Sequence, residues 1–217
     1  VEKANTGHPF VLGLTGSYNA GKTTIALELE NILQTRMYVR HIEVDHLGHQ
    51  TLEKISDQII SRFGTQVRTQ RSGGDYRVDR KALGRIVFGD PEALKDLEAL
   101  VHPEMVAEVD RVIAQTSEGL VIINAAILFK MGLESRCNWI VGVTAPAPIR
   151  LFRALKRDSL SLSQGWKRIR SQKEILPQLS FKSADIRKVS NWGGKRILRR
   201  QVKNLIRELW KRIEALS

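Results

Sequence analysis

Residues 16–23 read Gly-Ser-Tyr-Asn-Ala-Gly-Lys-Thr, and this octapeptide constrains the fold more than any other stretch of the chain. The pattern G-x-x-x-x-G-K-T is the Walker A, or P-loop, phosphate-binding signature when it joins a strand to a helix. Its context here fits. The apolar run Phe10-Val11-Leu12-Gly13-Leu14 reads as a short buried strand, and Thr24 to Leu33 reads as a helix with Ile25, Leu29, Ile32 and Leu33 on one side. A glycine-rich turn between them points backbone N–H groups inward at a helix N-terminus, whose dipole favours anions. Gly16 and Gly21 supply torsions and close approach that a Cβ would obstruct. Lys22 is then expected to reach the β- and γ-phosphates, and the Thr23 hydroxyl to ligate Mg²⁺.

The periodicity downstream predicts a sheet of alternating strands and helices. Met37 to Val44 reads as a second strand, His46 to Phe63 as polar and partly helical, and Gly64 to Asp75 as a loop. Asp79 to Phe88 reads as a short helix. Asp90-Pro91-Glu92 starts a further helix that reaches Ile113 and is expected to break or restart at His102-Pro103. Leu120–Ala125, Trp139–Thr144 and Ile186–Asn191 read as strands, with helices over 147–157, 163–176 and 195–216. The last has Ile197, Leu198, Val202, Leu205, Ile206, Leu209, Ile213 and Leu216 on one face. That face suits docking on a sheet or, alternatively, lying on a membrane surface. Strands separated by helices imply an α/β fold with a parallel sheet, whose ligands bind beyond the carboxyl ends of the strands. The loop, Asp45 and Asn124 should all lie at that edge.

Composition narrows the function classes. With 42% hydrophobic and 27% charged residues in 217, the chain is an ordinary globular one. Its most apolar run, Leu120 to Phe129, is too short to cross a bilayer, and Val1 to Pro9 has no signal-peptide core. The lone Cys137 excludes an internal disulfide, fits a reducing compartment and is expected near the core. The formal charge of +12 favours polyanionic partners, and from Arg150 onward 19 Lys and Arg stand against 5 Asp and Glu.

Several side chains could carry chemistry. Asp45, at the end of the second strand, could orient an acceptor hydroxyl or could cap the next helix, and the local sequence leaves both open. His41, His46 and His49 cluster but lack a cysteine partner, so surface or substrate contacts are expected rather than zinc. Arg150, Arg153 and Arg157 share one helical face and could form a phosphate lid, a nucleic-acid patch or a solvated stripe.

Taken in order, these residues resemble the dephospho-coenzyme A kinase family over nearly the whole chain. Leu14-Thr15-Gly16 opens the loop as in that family. Glu43-Val44-Asp45 matches its Asp-Ala-Asp, which puts Asp45 on the family's catalytic aspartate. Phe63-Gly64, Asp79-Arg80, Leu83, Val87-Phe88 and His102-Pro103 follow. Arg153, Arg157-Asp158, Arg168-Ile169 and Gln172 match the lid, and Ala184-Asp185 and Asn191-Trp192-Gly193 complete the series. Three departures stand out: Asn124 and Lys130 replace acids of the third-strand motif, and Asn19 replaces a usual glycine.

The resemblance implies a three-layer P-loop nucleoside-triphosphate-hydrolase-like fold in a single domain. Its core would be 9–46, 117–146 and 183–217, its helical substrate-binding part 47–116 and its lid 147–182. It implies transfer of the γ-phosphate of ATP, with Mg²⁺, to the ribose 3′-hydroxyl of dephospho-coenzyme A. Asp45, Lys22 and Arg157 would be catalytic. Gly16, Asn19, Ala20, Gly21, Lys22, Thr23, Thr24, Arg153, Asn191 and Gly193 would bind the nucleotide. Asp45, Arg80, His102 and Leu128 would bind the substrate, and Thr23 the metal. The implied setting is cytoplasmic, as a monomer or weak homo-oligomer, with no nucleic acid or membrane partner. The alternatives are a nucleotide-binding paralogue with degraded catalysis, another small-molecule P-loop kinase, and a nucleic-acid binder.

Overall fold

The computed structural model describes residues 8–70, 76–158, 161–171 and 186–216, without the side chains of 158, 165, 167, 168, 170 and 171. The expected helix beyond residue 171, most of the second half of the expected lid, and the Gln172 and Ala184-Asp185 matches lie outside the described residues. The chain divides into two compact units, Val1–Glu43 with Val112–Ser217, and Val44–Arg111.

The first unit is built on five parallel strands in the order β2-β5-β1-β6-β7. These are β1 (Phe10–Gly16), β2 (Val39–Glu43), β5 (Leu120–Asn124), β6 (Trp139–Thr144) and β7 (Ile186–Ser190). β1 and β5 are buried along their whole length, which is why they read as continuous apolar runs rather than alternating ones. β2, on an edge, buries only Ile42 fully. The register sets Leu14 beside Asn124, Asn124 beside Glu43, and Gly16 beside Val143. The carboxyl ends of β1, β5 and β2 therefore come level.

One face of this sheet is covered by α1 (Lys22–Leu33) and α8 (Lys195–Leu216). Ile25, Ala26, Leu29 and Leu33 from α1 join Leu198, Val202, Leu205, Ile206 and Leu209 from α8 over Leu12, Leu14, Ile122 and Val141. The amphipathic last helix thus docks on the sheet. Ile197 and Leu216, expected on its apolar face, stay exposed at its two ends. Arg212 sets its guanidinium 4.8 Å from the centroid of the buried Trp139 ring, a cation–π contact between α8 and β6. On the sheet's other face, Cys137 lies against Gly13 and donates to the Leu133 carbonyl at 3.3 Å. Burial pushes its thiol up to about 12.

The second unit holds α2 (Val44–Lys54), α3 (Ser56–Phe63), a hairpin of β3 (Arg68–Gln70) and β4 (Tyr76–Val78), α4 (Arg80–Val87) and α5 (Pro91–Ala114), whose last residues pass into the first unit. Two expectations are corrected here. The stretch read as a loop over 64–75 contains a 3-10 turn, Thr65–Val67, and β3, which pairs antiparallel with β4 because Val67 and Val78 are buried. The helix expected to break at His102-Pro103 runs unbroken for 24 residues. Proline removes a single intrahelical hydrogen bond, and the buried Val101, Met105 and Val109 hold the helix on either side of it. Asp79 caps α4, its carboxylate accepting from the Lys81 and Ala82 amides at 2.9 and 3.1 Å, and these two bonds lower its pKa. No described helix is long and apolar enough to cross a membrane.

Leu205 is 2% exposed and Lys203, two residues earlier, faces solvent. Leu205→Ala should cost about 2–5 kcal/mol in urea unfolding followed by circular dichroism, and Lys203→Ala less than about 0.5 kcal/mol. Cys137 should resist iodoacetamide at pH 8 in the native protein and react on denaturation. The unfolded chain releases the thiol proton near 9.0 while the folded chain holds it to about 12, so this residue makes stability fall as pH rises through that window.

Candidate active site

The loop between β1 and α1 is shaped by two glycines and an asparagine. At Gly16, φ is 138° and a Cβ would overlap the Val143 carbonyl of β6, so only glycine lets the chain leave the sheet here. At Gly21, φ is 95° and a Cβ would occupy the place of the Asn191 amide. Asn19 has φ 55°, the left-handed region that asparagine tolerates better than other side chains. Its replacement of a usual glycine is therefore conformationally matched. Its Nδ2 is buried with no acceptor among the described residues.

The loop is braced from the far end of the sheet. Asn191, 5% exposed just beyond β7, donates Nδ2 to the Ala20 carbonyl at 2.8 Å. Arg153 of α6 (Ala147–Asp158), the helix before α7 (Leu162–Ser171), donates to the Asn19 and Ala20 carbonyls at 3.3 and 3.2 Å and to the Asn191 carbonyl at 3.1 Å. A planar guanidinium suits this work, since its rigid fork meets several oxygens at once. Burial lowers the pKa of Arg153, yet the group stays charged. The brace thus takes up the Asn19 and Ala20 carbonyls, while the Ala20 amide closes the turn on the Ser17 carbonyl at 3.0 Å.

Within the loop the α1 N-terminus has no side-chain cap and no acidic residue in its first turn. No side-chain acceptor therefore occupies the positive end of the helix dipole, where an anion is favoured. Lys22 lies in the same turn, its Nζ donating to the carbonyls of Gly16 at 3.0 Å and Ser17 at 3.4 Å. Thr24 is exposed beside it. Arg157, also exposed, stands with its guanidinium 5.8 Å from the centroid of the Tyr18 ring, at the loop. Amides, a lysine and an arginine make an anion site of the kind that holds a polyphosphate.

Thr23 is held on two sides. Its Oγ1 donates to Glu43 Oε1 at 3.0 Å and accepts from Asn124 Nδ2 at 3.1 Å. Hydroxyl, carboxylate and amide oxygens are hard donors of the type Mg²⁺ takes, and Mg²⁺ needs few protein ligands when phosphates and water supply the rest. Among the described residues no three His, Cys, Asp or Glu gather as a metal cage. His41 instead meets Glu30 at 3.3 Å, and the His46 and His49 rings contact edge to face at 6.4 Å.

Other expected site residues sit elsewhere or do other work. Asp45 is exposed in the first turn of α2, inside the helix rather than at its N-cap, so the capping reading falls. Arg80, exposed at the start of α4, and His102, half-buried in α5, belong with Asp45 to the second unit. Leu128 is fully buried against Gly13 and presents no surface to a substrate. Gly193 leaves room for the Ile197 side chain. The supposed stripe of three arginines is not a stripe: Arg150 is 7% exposed, Arg153 braces the loop, and only Arg157 is solvated. The sequence marks Glu43 only as a position in the Glu43-Val44-Asp45 motif. Its register opposite Asn124, on a strand distant in sequence, is what brings it to Thr23.

Arg153→Lys keeps the charge and loses the fork. It should weaken ADP binding by about tenfold in calorimetry, since one or two hydrogen bonds to the loop of about 1 kcal/mol each are lost.

Comparison with known proteins agrees with this geometry. A family model described as dephospho-CoA kinase matches residues 10–187. The chain is 35% identical over 178 residues to a Moorella thermoacetica dephospho-CoA kinase, covering 78% of this chain and 79% of that one. Its fold is similar to a crystal structure of a Thermus thermophilus protein, with a TM-score of 0.76 and 30% identity over 93% of this chain and 98% of the other. It is also similar to a dephospho-CoA kinase from Campylobacter jejuni, with a TM-score of 0.65 and 25% identity over 94% and 98%. A loop built for polyphosphate, on a P-loop kinase sheet, in a chain matched by that model over most of its length, places this protein in the dephospho-CoA kinase family.

Proposed function

We propose that this chain transfers the γ-phosphate of ATP to the ribose 3′-hydroxyl of dephospho-coenzyme A, in the cytoplasm. The observation that carries the proposal is the uncapped α1 N-terminus, enclosed by a loop that Arg153 and Asn191 hold in place. The loop amides and Lys22 bind the β- and γ-phosphates, and Lys22 exchanges its loop carbonyls for phosphate oxygens. Arg157 covers the transferring group, where its charge offsets that of the phosphoryl oxygens. Thr23, with Glu43 behind it, would hold Mg²⁺, which supplies charge neutralisation across the phosphates.

Asp45 follows the β2 end by two residues and is solvent-exposed. Its role is to accept the hydrogen of the acceptor hydroxyl and so fix the attack direction. Phosphoryl transfer passes through a loose transition state, so positioning contributes more than basicity. Arg80 and His102 are the groups proposed to bind the acceptor, whose phosphates call for cationic or donor partners. Both substrates are anionic, which gives the basic C-terminal third a role without nucleic acid.

Folded protein with MgATP should release ADP when dephospho-coenzyme A is added, in a coupled assay, with a 3′-phosphorylated product by mass spectrometry. No acceptor-dependent ADP would overturn the proposal. Asp45→Asn should lower kcat by about a hundredfold to a thousandfold while leaving ADP affinity nearly unchanged.

A further inference from the structure

Asn124, at the end of β5, meets Thr23 with a neutral amide, so β5 brings no charge to that hydroxyl. We propose that Glu43, at the end of β2, is the carboxylate that positions the metal, and that Asn124 is the neutral partner this arrangement requires. The proposal rests on the nucleotide-binding half of the function above and not on the identity of the acceptor.

The hydrogen-bond directions carry the argument. An ionised carboxylate only accepts, so the one hydrogen of the Thr23 hydroxyl must go to Glu43 Oε1, 3.0 Å away. The hydroxyl then has nothing left to donate to residue 124. A group at 124 that touches Thr23 must itself be a donor, which orients the Asn124 amide with Nδ2 toward the hydroxyl, at 3.1 Å. Of the two lone pairs on Thr23 Oγ1, Asn124 takes one, and the other is available to a cation. An ionised aspartate at 124 could not donate, and two carboxylates would compete for a single hydrogen. The pair Glu43 and Asn124 therefore acts as a unit, one accepting and one donating.

Burial assigns the charge in the same way. Asn124 is 3% exposed, a place where an amide costs less than a carboxylate. Glu43 is exposed, so its carboxylate keeps contact with water and can also accept hydrogen bonds from waters around a bound cation. Register ties the two together, since Glu43 and Asn124 are direct neighbours across the parallel β2–β5 pair. Glu43 is thus a positioning residue that acts through Thr23 and through metal-bound water.

The test is calorimetric binding of ADP to the full chain, in EDTA and across a Mg²⁺ titration. Glu43→Gln should raise the Mg²⁺ concentration that gives half of the metal-dependent gain in affinity by about tenfold, the scale of losing a group that supports a metal ligand. ADP affinity in EDTA should be unchanged. Glu43→Asp keeps the carboxylate and should preserve most of the Mg²⁺ dependence. The double variant Glu43→Gln, Asn124→Asp returns a carboxylate to Thr23 and should recover it. Thermal unfolding of each variant checks that it folds, and if Glu43→Gln does not, the double variant against Asn124→Asp carries the comparison. An unchanged Mg²⁺ dependence in Glu43→Gln would overturn the proposal, as would an equal loss of ADP binding with and without Mg²⁺, which marks a structural role alone. Because no acceptor is present, a failure to phosphorylate dephospho-coenzyme A would leave this result standing.

Discussion

The constraint on which the first unit depends is the close approach of Gly16 to the β6 backbone at Val143. β1 is hydrogen-bonded between β5 and β6, and the chain must leave it without displacing either neighbour. A side chain at Gly16 would push the two strands apart. Because it has none, the loop rises directly over the strand ends and delivers α1 onto the sheet face, where Ile25, Leu29 and Leu33 join the core. The phosphate site and the hydrophobic core are thereby one construction. The loop is positioned by apolar burial on α1, and the burial requires the loop's geometry.

Charge in this unit is divided between structure and chemistry. Arg153 and Asn191 tie loop carbonyls to the end of β7, whereas Lys22 and Arg157 stay at the loop itself. Binding the Asn19 and Ala20 carbonyls at the brace keeps those two acceptors away from an anion, so a polar network that looks merely supportive also sets the polarity of the loop it supports. Asn124 and Glu43 repeat this division around Thr23. A buried neutral donor fixes the hydroxyl, and an exposed acceptor holds the charge.

Much of this was legible in the chain. The octapeptide between an apolar run and a helical period specified the loop, and strands alternating with helices specified a parallel sheet. Local rules failed where tertiary contacts overrode them. Proline reads as a break, but α5 continues through Pro103 because burial on both sides outweighs one lost hydrogen bond. The polar stretch after Gly64 reads as a loop, but Val67 and Val78 are close enough in space to be buried, and β3 and β4 pair between them. Three arginines at helical spacing read as one stripe, yet their environments run from buried to solvated, because spacing reports a shared face and not what covers it. Leu128, beside a functional motif, turns out to be core packing.

The sequence by itself determined the chemistry available: a phosphate loop with its lysine and threonine, an aspartate after the second strand, and a family's motifs in their order. It determined these because glycine torsions, apolar periodicity and helix N-termini are properties of short segments. Only the tertiary structure decided who serves whom. It placed Asn191 against Ala20, 171 residues away, and Asn124 against Thr23, 101 residues away. It also set Glu43 beside Asn124 through strand register. Partners so distant in the chain are chosen by sheet order and register, which arise from burying the whole core at once and leave no mark in any one segment.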